Sequence, residues 1–219
     1  MSQGFTEITK EIYSYINDKF TSEDLFLKNL QIEALTLGFP DISISPQQAS
    51  FLGFMLKTIN AKYVLEIGSL AGYSAIAMAR ELPPDGKLIT IEIDKERTNF
   101  IRNKVIEGRL ENVIEVINED AQEFLRDYKP DFNFDLVFVD ADKQGYVDYL
   151  NYSIPLLRKG GIFATDNALA FGEIAKQKLD ERKPEVLAVR AFNDALVSNT
   201  FLKSCLVTIG DGLAMAVKL

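Results

Sequence analysis

The feature that most constrains this chain is an alternation that begins near Lys62. Short runs rich in β-branched and aromatic residues are separated by longer segments of helical character. YVLEIG (63–68) precedes a helical stretch from about Gly72 to Leu82, and LITIEID (88–94) precedes one over 95–107. NVIEVIN (112–118) is followed by a short helix to Tyr128, FDLVFVDAD (134–142) by a helix to about Leu157, and GGIFATDN (160–167) opens a fifth unit. Such alternation specifies βαβ units, and therefore a mostly parallel α/β sheet with helices on both faces. Ligands of such sheets bind beyond the carboxyl ends of the strands. The residues at those ends are the ones to examine.

The flanks break the alternation. Residues 1–60 read as helical: Ile8, Ile12, Tyr15 and Ile16 recur at helix spacing, and Leu25, Leu27, Leu30 and Ile32 do so more loosely. Thr21-Ser22-Glu23-Asp24 predicts a helix start with a capping hydroxyl. GFPDISISP (38–46) is a break, with Pro46 in the first turn of a third helix running to about Ile59. After a helix over 184–198, FLKSCLVTIGDGLAMAVKL predicts two strands joined by a tight Gly210-Asp211-Gly212 turn. That hairpin must bring one antiparallel strand into the sheet. The expected organisation is one domain over 1–219, with 1–60 as an N-terminal helical extension.

Composition removes several classes of function. The formal net charge is −8, with no basic run, which argues against a nucleic-acid partner. No apolar stretch approaches the roughly 20 residues of a membrane helix, and MSQGFTEITKEIYSYINDKF does not read as a secretory signal. A single cysteine, Cys205, cannot form an intrachain disulfide, so a cytoplasmic location is expected. The chain has no histidine. Histidine-based nucleophilic catalysis and histidine metal sites are excluded, leaving Lys, Asp, Glu, Tyr, a metal or a cofactor to carry any chemistry.

The strand ends are chemically loaded. In EIGSLAGYS (66–74), Gly68 and Gly72 bracket a turn into a helix, but the G-x-G-x-x-G spacing of a dinucleotide loop is absent. Glu66, an anion just before that turn, suits a cation or an amine better than a phosphate. Glu92 ends the second strand where an acid commonly holds ribose hydroxyls, with Asp94 as the next helix cap. Asp120 is a cap as well, and Ala121 and Gln122 can line an adenine slot. Asp140 and Asp142, spaced to point the same way from a strand, stand beside Lys143, and Asp166-Asn167 end the fifth strand. Three carboxylates and an amide at one edge would repel without a cation. The all-oxygen set suits a hard divalent ion such as Mg²⁺ or Ca²⁺. The alternative is that these residues are helix caps and surface turns.

Together these motifs resemble the cation-dependent O-methyltransferases, the family of caffeoyl-CoA and catechol O-methyltransferases. VLEIGSLAGYSAIAMA looks like the family's S-adenosylmethionine loop, FDLVFVDADKQGYVDYL and GGIFATDNAL like its metal-site strands, and GDGLAMAVKL like its terminal hairpin. The resemblance implies a Rossmann-like class I methyltransferase fold, a seven-stranded sheet with an antiparallel last strand. It implies a divalent cation, Mg²⁺ foremost with Ca²⁺ or Mn²⁺ as alternatives, on Asp140, Asp166 and Asn167. It implies S-adenosylmethionine held by Glu66, Gly68, Ser74, Glu92, Ala121, Asp140 and Asp142, with Ile42 and Ile44 flanking cofactor and acceptor from a lid. Lys143, beside Asp140, would be the catalytic base or its assistant. The acceptor would be a small aromatic diol, shaped by an insertion over 168–183, and the chain would be a homodimer. Three alternatives remain at this point: a nicotinamide-dependent oxidoreductase sharing Glu92, a non-catalytic binding protein on the same fold, and methyl transfer to a different acceptor atom.

Overall fold

A computed structural model describes residues 4, 6–21, 23–176, 180 and 182–219. Ser22 in the expected helix start, and 177–179 and 181 in the expected insertion, lie outside the described residues. The alternation builds β1 (Tyr63–Ile67), β2 (Lys87–Glu92), β3 (Ile114–Asn118), β4 (Phe134–Val139) and β5 (Leu157–Thr165). The hairpin is β6 (Leu202–Val207) and β7 (Leu213–Lys218). Helices α1 (Lys10–Phe20), α2 (Leu25–Thr36) and α3 (Pro46–Thr58) precede the sheet. Helices α4 (Tyr73–Ala79), α5 (Lys95–Glu107), α6 (Ala121–Asp127), α7 (Tyr146–Leu156) and α8 (Pro184–Ser198) connect its strands.

The sheet has seven strands in the order β3-β2-β1-β4-β5-β7-β6. β1 to β5 pair in parallel, and β7 lies antiparallel between β5 and β6. From β1 the chain winds outward through β2 and β3, then returns to β4 on the other side. This β1/β4 boundary is the switch point where a parallel sheet opens a crevice.

Period-2 alternation explains why the strands read as continuous apolar runs. Leu136 and Phe138 of β4 enter the core shared with α3 and α4, whereas Val137 and Val139 enter the core shared with α7 and α8. Phe138 is fully buried, and truncation to alanine would cost about 3–5 kcal/mol. Leu27, Leu30 and Ala34 of α2 and Leu52 and Leu56 of α3 belong to the first core, so the helical extension packs as part of the sheet's own cover.

Local departures from the sequence expectations have physical causes. Asp24, not a hydroxyl, caps α2 by accepting from the Leu27 N–H. The α2 stripe is Leu27, Leu30 and Ala34, while Leu25 and Ile32 are exposed. β5 starts at Leu157 rather than Gly160, because a bulge with Gly160 at φ +73 absorbs the extra residues. The terminal hairpin pairs Val207 with Leu213, so its loop is longer than a two-residue turn.

Candidate active site

At the switch point a cavity of about 1100 Å³ opens over the carboxyl ends of β1, β2, β4 and β5. Ile42, Ile44, Gly68, Ser74, Glu92, Ala121, Asp140, Asp142, Lys143, Asp166 and Asn167 all line it. Eleven of the twelve residues singled out from sequence therefore share one space; Glu66 is the exception. Its volume exceeds the usual range for one small ligand, roughly 300–1,000 Å³, and leaves room for two.

One end is built from backbone donors. Glu92 is buried, and its carboxylate accepts from the Leu70 N–H at 2.9 Å and the Asp94 N–H at 3.0 Å. Asp94 caps α5 through the Arg97 N–H, and Asp120 caps α6 through the Gln122 and Glu123 N–H groups. Gly68 is required for packing: at φ +88, an added Cβ would collide with the Asp140 carbonyl, so only glycine lets β1 end against β4. Glu66 lies behind the wall, fully buried, hydrogen-bonded to the Thr90 hydroxyl, with its Oε1 unpartnered. Burial pushes its pKa up to about 7, against the pull of the nearby Ser74 and Thr90 hydroxyls. An orphaned carboxylate oxygen beside this end fits a ligand that carries positive charge, and Glu92 fits a ribose diol. These are the groups of S-adenosylmethionine.

The other end is built from side chains. β4 and β5 are neighbours in register Val139↔Thr165, so Asp140 and Asp166 leave adjacent strand ends. Burial raises the pKa of Asp140, opposed by the Lys143 ammonium. Burial and then the Asp140 charge push Asp166 up to about 6. Lys143 Nζ lies 3.3 Å from Asp140 Oδ1 and donates to the Tyr146 hydroxyl at 2.6 Å; that hydroxyl donates to the Asp166 carbonyl at 3.1 Å. Asp142 is a correction. β4 stops at Val139, so strand alternation does not reach it; its carboxylate instead accepts from the Tyr149 hydroxyl at 2.6 Å and the Gly145 N–H at 2.9 Å. Two carboxylates, Asp140 and Asp166, rather than three, are brought together there, and Asn167 follows Asp166 in the cavity lining with its side chain hydrogen-bonded to Asp211.

That oxygen set fits a hard divalent ion in an open site. Among the described residues no group of three or more Asp, Glu, His or Cys forms a closed cage. Mg²⁺ is commonly held by one or two carboxylates, with water and substrate completing its shell.

Several site residues were not singled out from sequence as parts of the metal end. Tyr146 follows Lys143 by three residues, a spacing that brings side chains together on a helical turn. Gln48 donates to Asp166 from the start of α3, signalled only by the Ser45-x-x-Gln48 capping pattern. Phe171 lines the mouth, 85% exposed, in a left-handed conformation (φ 52°, ψ 39°). Its N–H donates to both oxygens of Asp211, at 2.8 and 3.0 Å.

This switch-point cavity on a seven-stranded sheet with an antiparallel β7, and an acid pair beside a lysine, are the features of a class I methyltransferase, and the chain's relatives separate it from a nicotinamide enzyme. The O-methyltransferase family model matches residues 17–219. A catechol O-methyltransferase of Niastella koreensis is 32% identical, covering 96% of this chain and 98% of that protein. A caffeoyl-CoA O-methyltransferase of Stellaria longipes is also 32% identical, covering 97% and 95%. The crystal structure of the O-methyltransferase from Bacillus cereus in complex with SAH superposes with a TM-score of 0.87 at 27% identity, covering 95% of this chain and 97% of that one. The chain belongs to this O-methyltransferase family, and it is an S-adenosylmethionine-dependent enzyme.

Proposed function

We propose that the enzyme methylates a hydroxyl of a vicinal dihydroxy aromatic, with a divalent cation, Mg²⁺ foremost, held by Asp140, Asp166 and Asn167. The observation that carries this reading is the pair of carboxylates on adjacent strand ends, Asp166 buried and Asp140 half-buried, with Lys143 alongside. A phenol with a pKa near 10 is about one part in a thousand ionised at pH 7, and a cation that lowered it by three units would supply roughly 4 kcal/mol. Lys143, steered by Asp140 and Tyr146, takes the acceptor's proton in its amine form. The phenolate oxygen then attacks the sulfonium methyl as the carbon–sulfur bond breaks. Glu92 holds the cofactor's ribose, Ala121 and Gln122 flank its adenine, and Glu66 and Ser74 lie toward its charged end. Ile42 and Ile44, on the segment leading into α3, wall the acceptor side. Fixing both reactants in this geometry can supply up to roughly 7–11 kcal/mol.

The charge of the lining favours an uncharged diol over a coenzyme A thioester. Arg97 and Lys143 are its two cations among the described residues, and each stands beside a carboxylate, Glu92 or Asp140. Asp41 and Asp211 add negative charge at the mouth, where a polyphosphate would need the opposite.

Further parts of the reading are a homodimer through the exposed apolar residues Phe20, Leu25 and Phe54 of α1 to α3, and a cytoplasmic location consistent with an unpaired Cys205. Among the described residues no helix is long and apolar enough to cross a membrane. The test is methyl transfer to catechol and to caffeoyl-CoA, before and after removal of metal with EDTA. Activity on catechol that vanishes with chelator and returns with Mg²⁺ supports the reading; full activity in excess EDTA defeats the cation.

A further inference from the structure

Gln48 takes no part in the chemistry above, yet it is 97% buried in the cavity lining (relative exposure 3%). Its amide sits where three segments meet. Oε1 accepts from the N–H and the hydroxyl of Ser45, both at 3.0 Å, which closes the capping box at the start of α3. Nε2 donates to Asp166 Oδ1 at 2.5 Å, across 118 residues of sequence. Gly210 of the β6–β7 loop packs against the same amide so closely that a Cβ there would collide with it.

This arrangement leaves the amide one orientation. The cap uses its oxygen, so its nitrogen must face Asp166. A glutamine at the third position of a helix normally serves only the helix start; this one also reaches the β5 end. Asparagine would be a methylene too short to span that distance.

We propose that Gln48 is a positioning residue for the cation site: its N–H fixes the Asp166 carboxylate and ties it to the 41–45 segment that carries Ile42 and Ile44. The inference rests on the cation reading under Proposed function. Partners of this kind, one step removed from a metal, typically change its affinity 10- to 100-fold when removed. A residue that only capped α3 would change thermal stability and leave metal affinity alone.

The experiment titrates Mn²⁺ into the full chain with SAH bound, by calorimetry or electron paramagnetic resonance. Gln48→Met, which keeps the length and loses the donor, should bind Mn²⁺ at least about tenfold more weakly. Ser45→Ala, which weakens the cap and leaves the Asp166 bond, should bind Mn²⁺ like the wild type while melting at a lower temperature. SAH affinity should be unchanged in both, and saturating Mn²⁺ should restore turnover in Gln48→Met. If Gln48→Met does not fold, Gln48→Asn carries the same prediction. Wild-type Mn²⁺ affinity in the Gln48 variants, or an equal loss in Ser45→Ala, overturns the proposal. A wild-type chain that binds SAH but no Mn²⁺ overturns the cation reading itself, and with it this inference.

Discussion

The two ends of the cavity are made of the same residue types held in opposite ways. At the β2 and β3 ends, Glu92, Asp94 and Asp120 each accept from two or more backbone N–H groups or cap a helix, so their charge is met by the fold itself. At the β4 and β5 ends, Asp140 and Asp166 face one another, and burial raises both pKa values. The backbone around them is unusual too: Asn167, Ala170 and Phe171 all have positive φ. A satisfied carboxylate can offer spare lone pairs to a neutral hydroxyl without needing a partner. Asp140 and Asp166 have partners too, Lys143 and Gln48, but their mutual repulsion remains, and a cation between them would relieve it. The cofactor end is held mainly by backbone donors, with Glu66 Oε1 left unpartnered behind it, and the acceptor end is held by side chains.

The sharpest way to break this contrast is Asp166→Ala. Turnover should fall by about a thousandfold, the roughly 4 kcal/mol that a three-unit change in acceptor acidity represents. SAH affinity, measured by calorimetry, should stay near wild type. Loss of both together would mean the two ends are one cooperative unit.

Next in size is Glu66→Gln. The carboxyl's folded pKa, about 7, lies above its unfolded value of 4.5, so the folded state binds more protons in between. Its stability contribution is full below pH 4.5 and is lost as pH rises through 7, amounting to about 3 kcal/mol. Through Glu66, the ligand-free wild type should therefore melt several degrees lower at pH 8 than at pH 5. The glutamine variant should lose that slope, melt higher at pH 8, and bind S-adenosylmethionine more weakly. An unchanged melting temperature at pH 8 would show that Glu66 is not buried as a charge.

Much of this was legible before the structure. The alternation wrote the five parallel strands, because strands buried on both faces must be apolar throughout, and Gly210-Asp211-Gly212 marked the reversal before β7. The strand-end acids and Lys143 were legible because ligands gather at strand ends, and Ile42, Ile44 and Ser74 only through the family resemblance; eleven of the twelve line one cavity. Their directions were not. Asp142 lies beyond β4, where the period of 2 no longer applies, and it turns to Tyr149. The Gln48–Asp166 bond joins segments 118 residues apart, and no local pattern carries that information. The insertion after Asn167 was also illegible, since a run of left-handed non-glycine residues follows no propensity.

Glu92→Gln examines the satisfied end. Glutamine keeps one oxygen for a backbone N–H and loses the charge. A hydrogen bond to a charged group is worth about 1.5–3 kcal/mol, so SAH should bind roughly 10- to 100-fold more weakly. Turnover at saturating cofactor should barely move, the mirror image of Asp166→Ala. A large fall in turnover would say that the ribose grip also aligns the methyl group.

The smallest effect belongs to the mouth, where Phe171 separates two contributions. Its ring is exposed, so removing it costs the ligand-free protein little. Its backbone is left-handed, which costs about 1–2 kcal/mol for a residue with a Cβ and little for glycine. Phe171→Ala and Phe171→Gly both remove the ring, and only the second relieves the backbone. If the ring covers the acceptor, KM for catechol should rise in both by a similar factor, about three- to tenfold for a contact of roughly 1 kcal/mol. The melting temperature should rise only in the glycine variant. Should KM rise in glycine alone, the Asp211-held backbone, and not the ring, would be what shapes the acceptor end. The contrast between an end held by backbone groups and one held by side chains would then break down at the loop, where the backbone would shape the acceptor end as well.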